Sequence, residues 1–292
     1  MPDKHLPIYA IKDFNPAPQR EQYFYCSRLS RHLQIHLFIQ KPHKHNFYIL
    51  LFISQGTGTH TIDFEQYTVK PNTVFFLTPG QVHSWQLSND TEGFILFFSP
   101  DFYLLDFPIQ KLHRFPFFHA ALRSPSLLLS EAAFSHLLPT IEKLQTEYAQ
   151  QQFLKDDMLR SYLDVLLIQL TRLYQLDYPD DLNTTAPIPY LQSVEMLIEA
   201  NYKTHQPVSF YADNLHITPK QLNEYCKRLL GKTTTDLIHD RIILEAKRLL
   251  VHSDLTIAQV AAELGYFESA YFFRFFKKKT NYTPEQFRKE YV

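Results

Sequence analysis

Short apolar runs recur along the first hundred or so residues of the chain. Each run is rich in β-branched and aromatic side chains, and turn-forming pairs such as Lys-Pro and Pro-Gly separate one run from the next. The runs predict strands at Leu33–Ile39, Phe47–Ile53, Thr59–Phe64, Tyr67–Lys70, Thr73–Leu77, His83–Leu87 and Phe94–Phe98. Many short strands with no helical pattern between them indicate a β-sandwich or barrel.

The hydrophobic period becomes helical from about Leu127, which predicts helices over about 127–178. One of these helices carries a leucine stripe with steps of four and three residues: Leu159, Leu163, Leu166, Leu170 and Leu173. This spacing suits the pairing of two helices, so we expect the stripe to form a dimer seam. The alternative is that the helix packs on its own domain, because two heptads are short for a coiled coil.

A polar, proline-rich segment at residues 179–189 predicts a linker. It divides the chain into a first domain at 1–178 and a second at 190–292. The second domain has the pattern of helices broken by short turns.

An internal repeat is the strongest pattern in the second domain. The spacings between its apolar and turn positions agree in both copies apart from one residue in the turn. The first copy has Val208, Ala212, Leu215, Leu222, Cys226 and Gly231, and the second has Ile257, Ala261, Leu264, Phe272, Phe276 and Asn281. Each copy predicts a short helix, a turn and a longer helix. This is the helix-turn-helix arrangement, whose second helix can enter a DNA major groove.

The segment Thr235–His252 between the two copies also has a helical period. At about 1.5 Å per residue it would span roughly 27 Å. Successive turns of one DNA face are about 34 Å apart. A rigid helix of this length can present both recognition helices to adjacent major grooves, provided that the modules add an offset or the DNA bends.

Roughly the last hundred residues resemble the AraC/XylS family of transcription regulators. The resemblance lies in the segments Arg241–Leu250, Leu255–Gly265, Tyr271–Lys277 and Tyr282–Arg288. The N-terminal part resembles that family's sensor more loosely, with His43-Lys-His45 near its start and Pro79–His83 further on. The resemblance implies an α+β multidomain fold. Its N-terminal part would be a cupin-like β-barrel with trailing helices, and its C-terminal part an all-α domain with two helix-turn-helix modules.

Four positions depart from the family pattern. Ala270 stands in place of a usual Ser, Phe273 in place of a small polar residue, Asn281 in place of Gly and Tyr211 in place of Leu. Asn281 is tolerable because Asn is the next best residue in the left-handed conformation that ends a helix. The changes at Ala270 and Phe273 weaken the case for base-specific hydrogen bonds from the second module.

Polar residues facing outward near the start of each second helix are the candidate DNA contacts. They are Lys220, Gln221, Asn223 and Glu224 in the first module, and Glu268, Ser269, Tyr271, Arg274, Lys277 and Lys278 in the second. Lys can donate to guanine, Asn can bond adenine in bidentate fashion, and Glu can accept from cytosine. Lys277 and Lys278 suit phosphate contacts, which supply affinity rather than specificity.

Histidines and aromatic residues of the first domain are the candidate effector contacts: His43, His45, Phe47, His60, Phe75, His83 and Trp85. On a strand, His43 and His45 place both imidazoles on one face, and His83 could join them as a metal-like trio. Metal-dependent cupins also have a Glu shortly after the His pair, whereas residues 46–50 include no acid. We therefore expect an organic effector with no metal and no cofactor.

Composition narrows the functional class. Only six Gly occur, and neither G-x-G-x-x-G nor G-x-x-x-x-G-K-[ST] is present, which argues against nucleotide-dependent enzymes of those types. Two Cys are too few for a disulfide scaffold or a zinc finger, and the start has no apolar signal segment. We expect a cytoplasmic protein that contacts no membrane. The net charge is −1, but Tyr271–Val292 holds six basic and two acidic residues, a modest basic face.

The main hypothesis is a sequence-specific transcription regulator, not an enzyme, that responds to a small molecule bound in its barrel. The expected partners are double-stranded DNA, the effector and a second copy of the chain, with RNA polymerase as a further candidate. Two alternatives stay open at this point. One is a cupin-type metalloenzyme with an accessory helical domain, and the other is a DNA-binding regulator whose barrel only dimerises.

Overall fold

A computed structural model describes residues 6–14, 23–105, 109–118, 124–177 and 187–291. They divide into two compact units, an N-terminal unit within Pro7–Pro179 and a C-terminal unit within Asp180–Val292, with Leu6 grouped with the second. The predicted linker at 179–189 lies mostly outside the described residues. Within those ranges, no helix is both long enough and apolar enough to cross a bilayer.

The described part of the N-terminal unit contains ten strands in two five-stranded sheets. The strands are β1 (Ile8–Tyr9), β2 (Phe24–Arg28), β3 (His43–His45), β4 (Tyr48–Gln55), β5 (Gly58–Ile62), β6 (Glu65–Val69), β7 (Thr73–Leu77), β8 (Val82–Leu87), β9 (Glu92–Phe98) and β10 (Ser126–Leu128). One sheet has the order β1-β3-β8-β5-β6, and the other has the order β10-β7-β4-β9-β2. Neighbouring strands are antiparallel except for β1 and β3, which are parallel.

Most of the predicted strands are present, with ends shifted by at most two residues. The predicted strand Leu33–Ile39 is wrong, because α1 (Leu29–Ile35) and a following 3₁₀ turn occupy this region. The alternating Ile35 and Leu37 suggested a strand, yet their side chains are 58% and 63% exposed. The buried residues are Leu29 and His32, which lie three apart on one helix face.

The β10-β7-β4-β9-β2 sheet is buried on both faces, which explains its unbroken apolar runs. Ile49, Leu51 and Ile53 of β4 belong to a core that also holds residues of β5, β6 and β8, so this core lies between the two sheets. Leu50 and Phe52 point the other way, into a core shared with two long helices. One sheet therefore separates two hydrophobic cores.

Four α-helices occur in the described part of the N-terminal unit: α1 (Leu29–Ile35), α2 (Pro100–Leu104), α3 (Glu131–Ala149) and α4 (Lys155–Asp177). Leu127 itself lies in β10, so the helical region begins four residues later than predicted, at Glu131. α3 and α4 pack together and cover the outer face of the doubly buried sheet.

The predicted dimer seam is wrong, and the alternative reading of the stripe is correct. Leu159, Leu163, Leu166 and Leu170 of α4 are at most 1% exposed, and Leu173 packs partly buried beside them. Their cover comes from the same chain, namely α3 and the doubly buried sheet. Side chains that are already enclosed cannot meet a partner without unfolding the unit.

The described part of the C-terminal unit is helical. Its helices are α5 (Pro187–Asn201), α6 (Val208–Asn214), α7 (Pro219–Leu230), α8 (Thr234–His252), α9 (Ile257–Glu263), α10 (Ser269–Thr280) and α11 (Pro284–Tyr291). The two predicted helix-turn-helix modules are α6–α7 and α9–α10, and α8 connects them. The predicted fold class, a β-rich N-terminal part with trailing helices and an all-α C-terminal part, is confirmed.

Candidate DNA interface and buried histidine cluster

The second helix of the first module is defined at both ends by local hydrogen bonds. α7 begins at a capping box, in which the Gln221 N–H donates to the Thr218 hydroxyl at 3.2 Å and Gln221 Oε1 accepts from the Thr218 N–H at 3.0 Å. The helix ends at Gly231, whose φ of 67° is in the left-handed region. Leu222 and Cys226 are fully buried and fix the inner face of the helix.

The second module repeats this plan with different residues. Phe272 and Phe276 of α10 are fully buried, and the helix ends at Asn281, with a φ of 64°. Asn thus takes the left-handed position that Gly231 occupies in the first module, as predicted. α9 begins at a capping box on Thr256, whereas Glu268, the N-cap residue of α10, makes no capping hydrogen bond with its side chain.

The turn between α9 and α10 requires a glycine. Gly265 has a φ of 80°, and a Cβ atom there would lie 1.9 Å from the backbone oxygen of Lys203. His216 occupies the matching place in the first turn, with a φ of 54°. Both the positive φ of Gly265 and the close approach of the Lys203 backbone therefore require a glycine in the second turn.

Both modules are tied to the first turn of α8. Asn223 Oδ1 of α7 accepts a hydrogen bond from the Thr234 N–H at 3.0 Å. Lys279 Nζ of α10 lies 3.2 Å from a carboxylate oxygen of Asp236. These two contacts join α7 and α10 to the same end of the connecting helix.

Most candidate DNA contacts are exposed: Lys220, Gln221 and Glu224 on α7, Glu268 at the start of α10, and Ser269, Tyr271, Arg274, Lys277 and Lys278 along it. The exception is Asn223, which is half-buried. The structure does not show the side chain of Asn223 free for a bidentate contact with adenine, because its oxygen accepts a hydrogen bond from the Thr234 N–H. Asn223 instead positions α7 on α8.

One exposed aromatic residue escaped the sequence analysis. Phe267, in the turn directly before Glu268, is fully exposed, whereas Phe273 is half-buried. The Arg274 guanidinium carbon lies 4.7 Å from the ring centroid of Tyr271. Outward positions counted from the start of a helix do not include a residue in the preceding turn.

The N-terminal unit brings the predicted effector residues into one cluster. β3 and β8 are adjacent and pair His43 with His83, while β8 and β5 pair Trp85 with His60. Phe47 and Phe75 join them, with ring centroids 4.5 Å from His45 and 4.7 Å from His60 respectively. All seven side chains are at most 8% exposed. We call these seven residues the histidine cluster.

Hydrogen bonds link the imidazoles of the histidine cluster. His45 Nε2 lies 2.7 Å from His83 Nε2, and His60 Nε2 lies 2.9 Å from His83 Nδ1. His43 Nδ1 lies 2.7 Å from the backbone oxygen of Lys41. Three further ring nitrogens are buried without a hydrogen-bond partner: His43 Nε2, His45 Nδ1 and His60 Nδ1. Such atoms are costly unless a ligand or ion satisfies them.

Burial keeps these imidazoles neutral near pH 7. It lowers the pKa of His60 to about 3 and the pKa values of His43, His45 and His83 below their usual range. Burial also lowers the pKa of His32 to about 3. Sequence patterns give no signal for His32, because it directly precedes the segment 33–39, whose pattern predicts a strand.

The two units match two known domain families. Residues 24–172 match the AraC-like ligand binding domain, and residues 211–290 match a helix-turn-helix domain. The first match alone covers half of the chain. The chain belongs to the AraC family of transcription regulators. It is a DNA-binding regulator with an N-terminal ligand-binding domain, as the sequence resemblance implied.

Similar curated proteins support this family assignment. The HTH-type transcriptional activator RhaR of Escherichia coli O1:K1 / APEC is 23% identical over 246 residues, which cover 84% of this chain and 86% of that protein. RhaR of Shigella boydii serotype 4 (strain Sb227) gives the same figures. Among solved structures, ToxT from Vibrio cholerae is 12% identical, with 92% of this chain and 99% of that chain covered. Its TM-score is 0.41.

Proposed function

We propose that this AraC-family regulator places α7 and α10 in successive major grooves of one operator. The observation that carries the proposal is the pair of recognition helices, each with an exposed polar face and both tied to the first turn of α8. Contacts of α7 and α10 with the same helix end hold the two exposed faces in a fixed relation. A fixed relation of this kind selects operators whose two half-sites have one spacing.

Base contacts and phosphate contacts fall to different side chains in this proposal. Lys220 and Glu224 on α7, and Arg274 on α10, read base edges, because they are exposed on the outward faces of the recognition helices. Lys277 and Lys278 lie further along α10 and bind phosphate. Glu268, Ser269, Tyr271 and Gln221 complete the interface.

The N-terminal unit, in this proposal, binds a small-molecule effector at the histidine cluster. The buried Nδ1 atoms of His45 and His60 have no hydrogen-bond partner, and an effector can satisfy them. Phe47, Phe75 and Trp85 supply apolar surface beside them. The effector changes DNA affinity only by its difference in affinity between two states of the protein.

The remaining parts of the proposal concern organisation. The regulator acts in the cytoplasm as a homodimer, with a sensor domain at 1–178, a linker at 179–189 and a DNA-binding domain at 190–292. It contacts RNA polymerase and catalyses no reaction. Support comes from the family assignment, since the family and the similar curated proteins are transcription regulators.

The test is binding of the full chain to DNA fragments selected from a random pool, measured by fluorescence anisotropy. Lys220→Ala and Arg274→Ala should each weaken binding to the selected operator by roughly 5- to 150-fold, the equivalent of about 1–3 kcal/mol. The matched control is Lys70→Ala, which changes an exposed lysine directly after β6 in the N-terminal unit. This variant should bind DNA normally. Equal binding of selected and competitor DNA, or an equal loss in the Lys70 variant, would contradict the proposal.

A further inference from the structure

Three histidines of the histidine cluster direct ring nitrogens toward one another. His43, His45 and His83 each offer one nitrogen, and these three atoms lie within 4.8 Å of one another. The three side chains are at most 4% exposed. Two adjacent strands, β3 and β8, fix their positions through the pairing of His43 with His83. Converging imidazoles on a rigid sheet are a common form of metal site.

The hydrogen bond of His43 fixes which of its nitrogens can bind an ion. Its Nδ1 lies 2.7 Å from the backbone oxygen of Lys41, and a carbonyl oxygen only accepts. Nδ1 therefore carries the proton, and Nε2 of the neutral ring carries a lone pair. That Nε2 atom is buried and has no hydrogen-bond partner. A metal ion is a partner that an unprotonated imidazole nitrogen can take.

The contact between His45 and His83 also brings together ring nitrogens that an ion could bind. Their Nε2 atoms lie 2.7 Å apart, so without an ion one of them must donate to the other. With an ion, both can be lone-pair donors after they separate by roughly half an ångström, because nitrogens at about 2.0–2.1 Å from a tetrahedral ion lie about 3.3 Å apart. The other nitrogen of His83, Nδ1, can then donate to His60 Nε2 at 2.9 Å.

The surroundings of two of the three rings match those of metal ligands in proteins, whereas His45 Nδ1 is buried with no hydrogen-bond partner. A metal-binding histidine usually donates its second N–H to a carbonyl, a carboxylate or water, which fixes the ring and its tautomer. Here the Lys41 oxygen holds His43, and the His60 ring holds His83. The absence of a carboxylate after the His pair predicts a site without a metal. Three histidines are nevertheless a sufficient ligand set, with the fourth position left for water or another ligand.

We propose that His43, His45 and His83 bind one divalent ion of the late first-row series, such as Zn²⁺, through their Nε2 atoms. Imidazole ligands suit Zn²⁺, Ni²⁺ and Cu²⁺, whereas Mg²⁺ and Ca²⁺ prefer oxygen. Three neutral ligands leave the ion's charge uncompensated. The remaining position therefore suits water or an anionic oxygen of a small molecule. This site goes beyond the proposed DNA binding and is tested without DNA.

The first experiment measures metal uptake by the full-length chain, purified without a histidine tag and stripped with a chelator. Titration with ZnCl₂ in a calorimeter, with elemental analysis after dialysis, should show one equivalent of Zn²⁺ and a melting temperature that rises with Zn²⁺. Mg²⁺ should give neither effect. Absence of stoichiometric Zn²⁺ uptake by the unmodified protein would overturn the proposal.

Variants locate the bound ion. H43Q, H45Q and H83Q should each lose the equivalent of Zn²⁺, whereas H60Q should retain it with roughly 10- to 100-fold weaker affinity, because His60 only positions His83. The matched control is H136Q, which changes an exposed histidine of α3 and should bind normally. Loss of the ion in H136Q, or its retention in a folded H43Q/H83Q double variant, contradicts the assignment.

The visible absorption of bound Co²⁺ tests the site in the unmodified protein, so this test does not depend on the folding of the buried variants. Co²⁺ added to the stripped, unmodified protein should give the strong visible absorption of a tetrahedral ion, and Zn²⁺ should remove it. The weak absorption of hexaaqua Co²⁺, unchanged by the protein, would overturn the proposal without any variant.

Discussion

The side-chain oxygen of Asn223 accepts a hydrogen bond from the backbone N–H of Thr234 at 3.0 Å. Asn223 belongs to a recognition helix, and Thr234 is the first residue of α8. Because Thr234 is fully buried, no water can replace this acceptor. A residue that the sequence places on the DNA-reading face therefore acts inside the unit, as a brace between two helices.

Removing this acceptor should cost stability rather than specificity. Asn223→Ala leaves a buried N–H unbonded, so we expect the free energy of unfolding to fall by about 1–3 kcal/mol. Asn223→Asp keeps an oxygen in place and should recover much of the loss. Urea unfolding of both variants measures this. A change of base preference in Asn223→Ala at unchanged stability would instead restore the role of base reader.

Lys277 and Arg274 should differ in what they contribute to DNA binding. Lys277→Ala should weaken binding to all sequences about equally and reduce the slope of log affinity against log salt by about 1, because one phosphate contact is lost. Arg274→Ala should relax the preference at one or two base pairs. Salt titrations on the selected operator and on its single-base variants separate the two roles. Identical profiles for both variants would show that Arg274 reads no base.

The leucine stripe should behave as core. Leu163→Ala should lower the free energy of unfolding by about 2–5 kcal/mol, because it opens a cavity under α4. Val165→Ala, on the same helix but 47% exposed, is the matched control and should change it by less than about 0.5 kcal/mol. Urea unfolding of the full chain measures both. Should Leu163→Ala remain as stable as the parent and become monomeric, the stripe would be a seam after all.

Acid should destabilise the N-terminal unit through His32. Its pKa is about 3 in the folded chain and about 6.5 when unfolded, so below pH 6.5 the unfolded state binds a proton that the folded state does not. Stability is therefore full above pH 6.5 and falls as the pH drops toward 3. At pH 5 the loss from this residue alone is about 2 kcal/mol. His32→Gln should make the free energy of unfolding depend less steeply on pH, while the other buried histidines with lowered pKa values keep part of the dependence. Urea unfolding at several pH values measures this.

Gly265 and Gly231 should tolerate alanine to different extents. Both have a positive φ, so each substitution carries a backbone cost of about 1–2 kcal/mol. Only at Gly265 would the new Cβ atom meet backbone, 1.9 Å from the Lys203 oxygen, whereas Gly231 has open space. Gly265→Ala should therefore lower the melting temperature clearly more than Gly231→Ala. Equal shifts would mean that the α9–α10 turn moves away from Lys203 at little cost.

Local patterns predicted the helix-turn-helix pair well, because each of its defining features is short-range. The apolar face of α10 and the left-handed end at Asn281 follow from residues within one helix. What covers the apolar face of α4 that contains Leu163 could not be predicted in the same way. Periodicity shows that a face is apolar but not whether a partner or the same chain covers it.

The histidine cluster shows a second limit of sequence reasoning. The alternation in His43-Lys-His45 predicted two imidazoles on one face, and the structure has both buried. That His83 and then His60 lie beside them depends on the strand order β3-β8-β5, which joins strands far apart in the chain. Long-range pairing of this kind leaves no local signal. The hydrogen bond of Asn223 could not be predicted for a related reason, since its partner, Thr234, lies on another helix.

The doubly buried sheet places the histidine cluster close to α4. His60 contacts Phe75 of β7 with ring centroids 4.7 Å apart, on the side that faces the other sheet. The next residue, Phe76, points to the opposite side, where its ring lies 6.1 Å from that of Tyr174 on α4. Phe75, which belongs to the histidine cluster, and Phe76, which contacts α4, are thus consecutive residues of β7. Any occupant that displaced Phe75 toward its own sheet would therefore also displace Phe76 and the Tyr174 ring of α4 beside it.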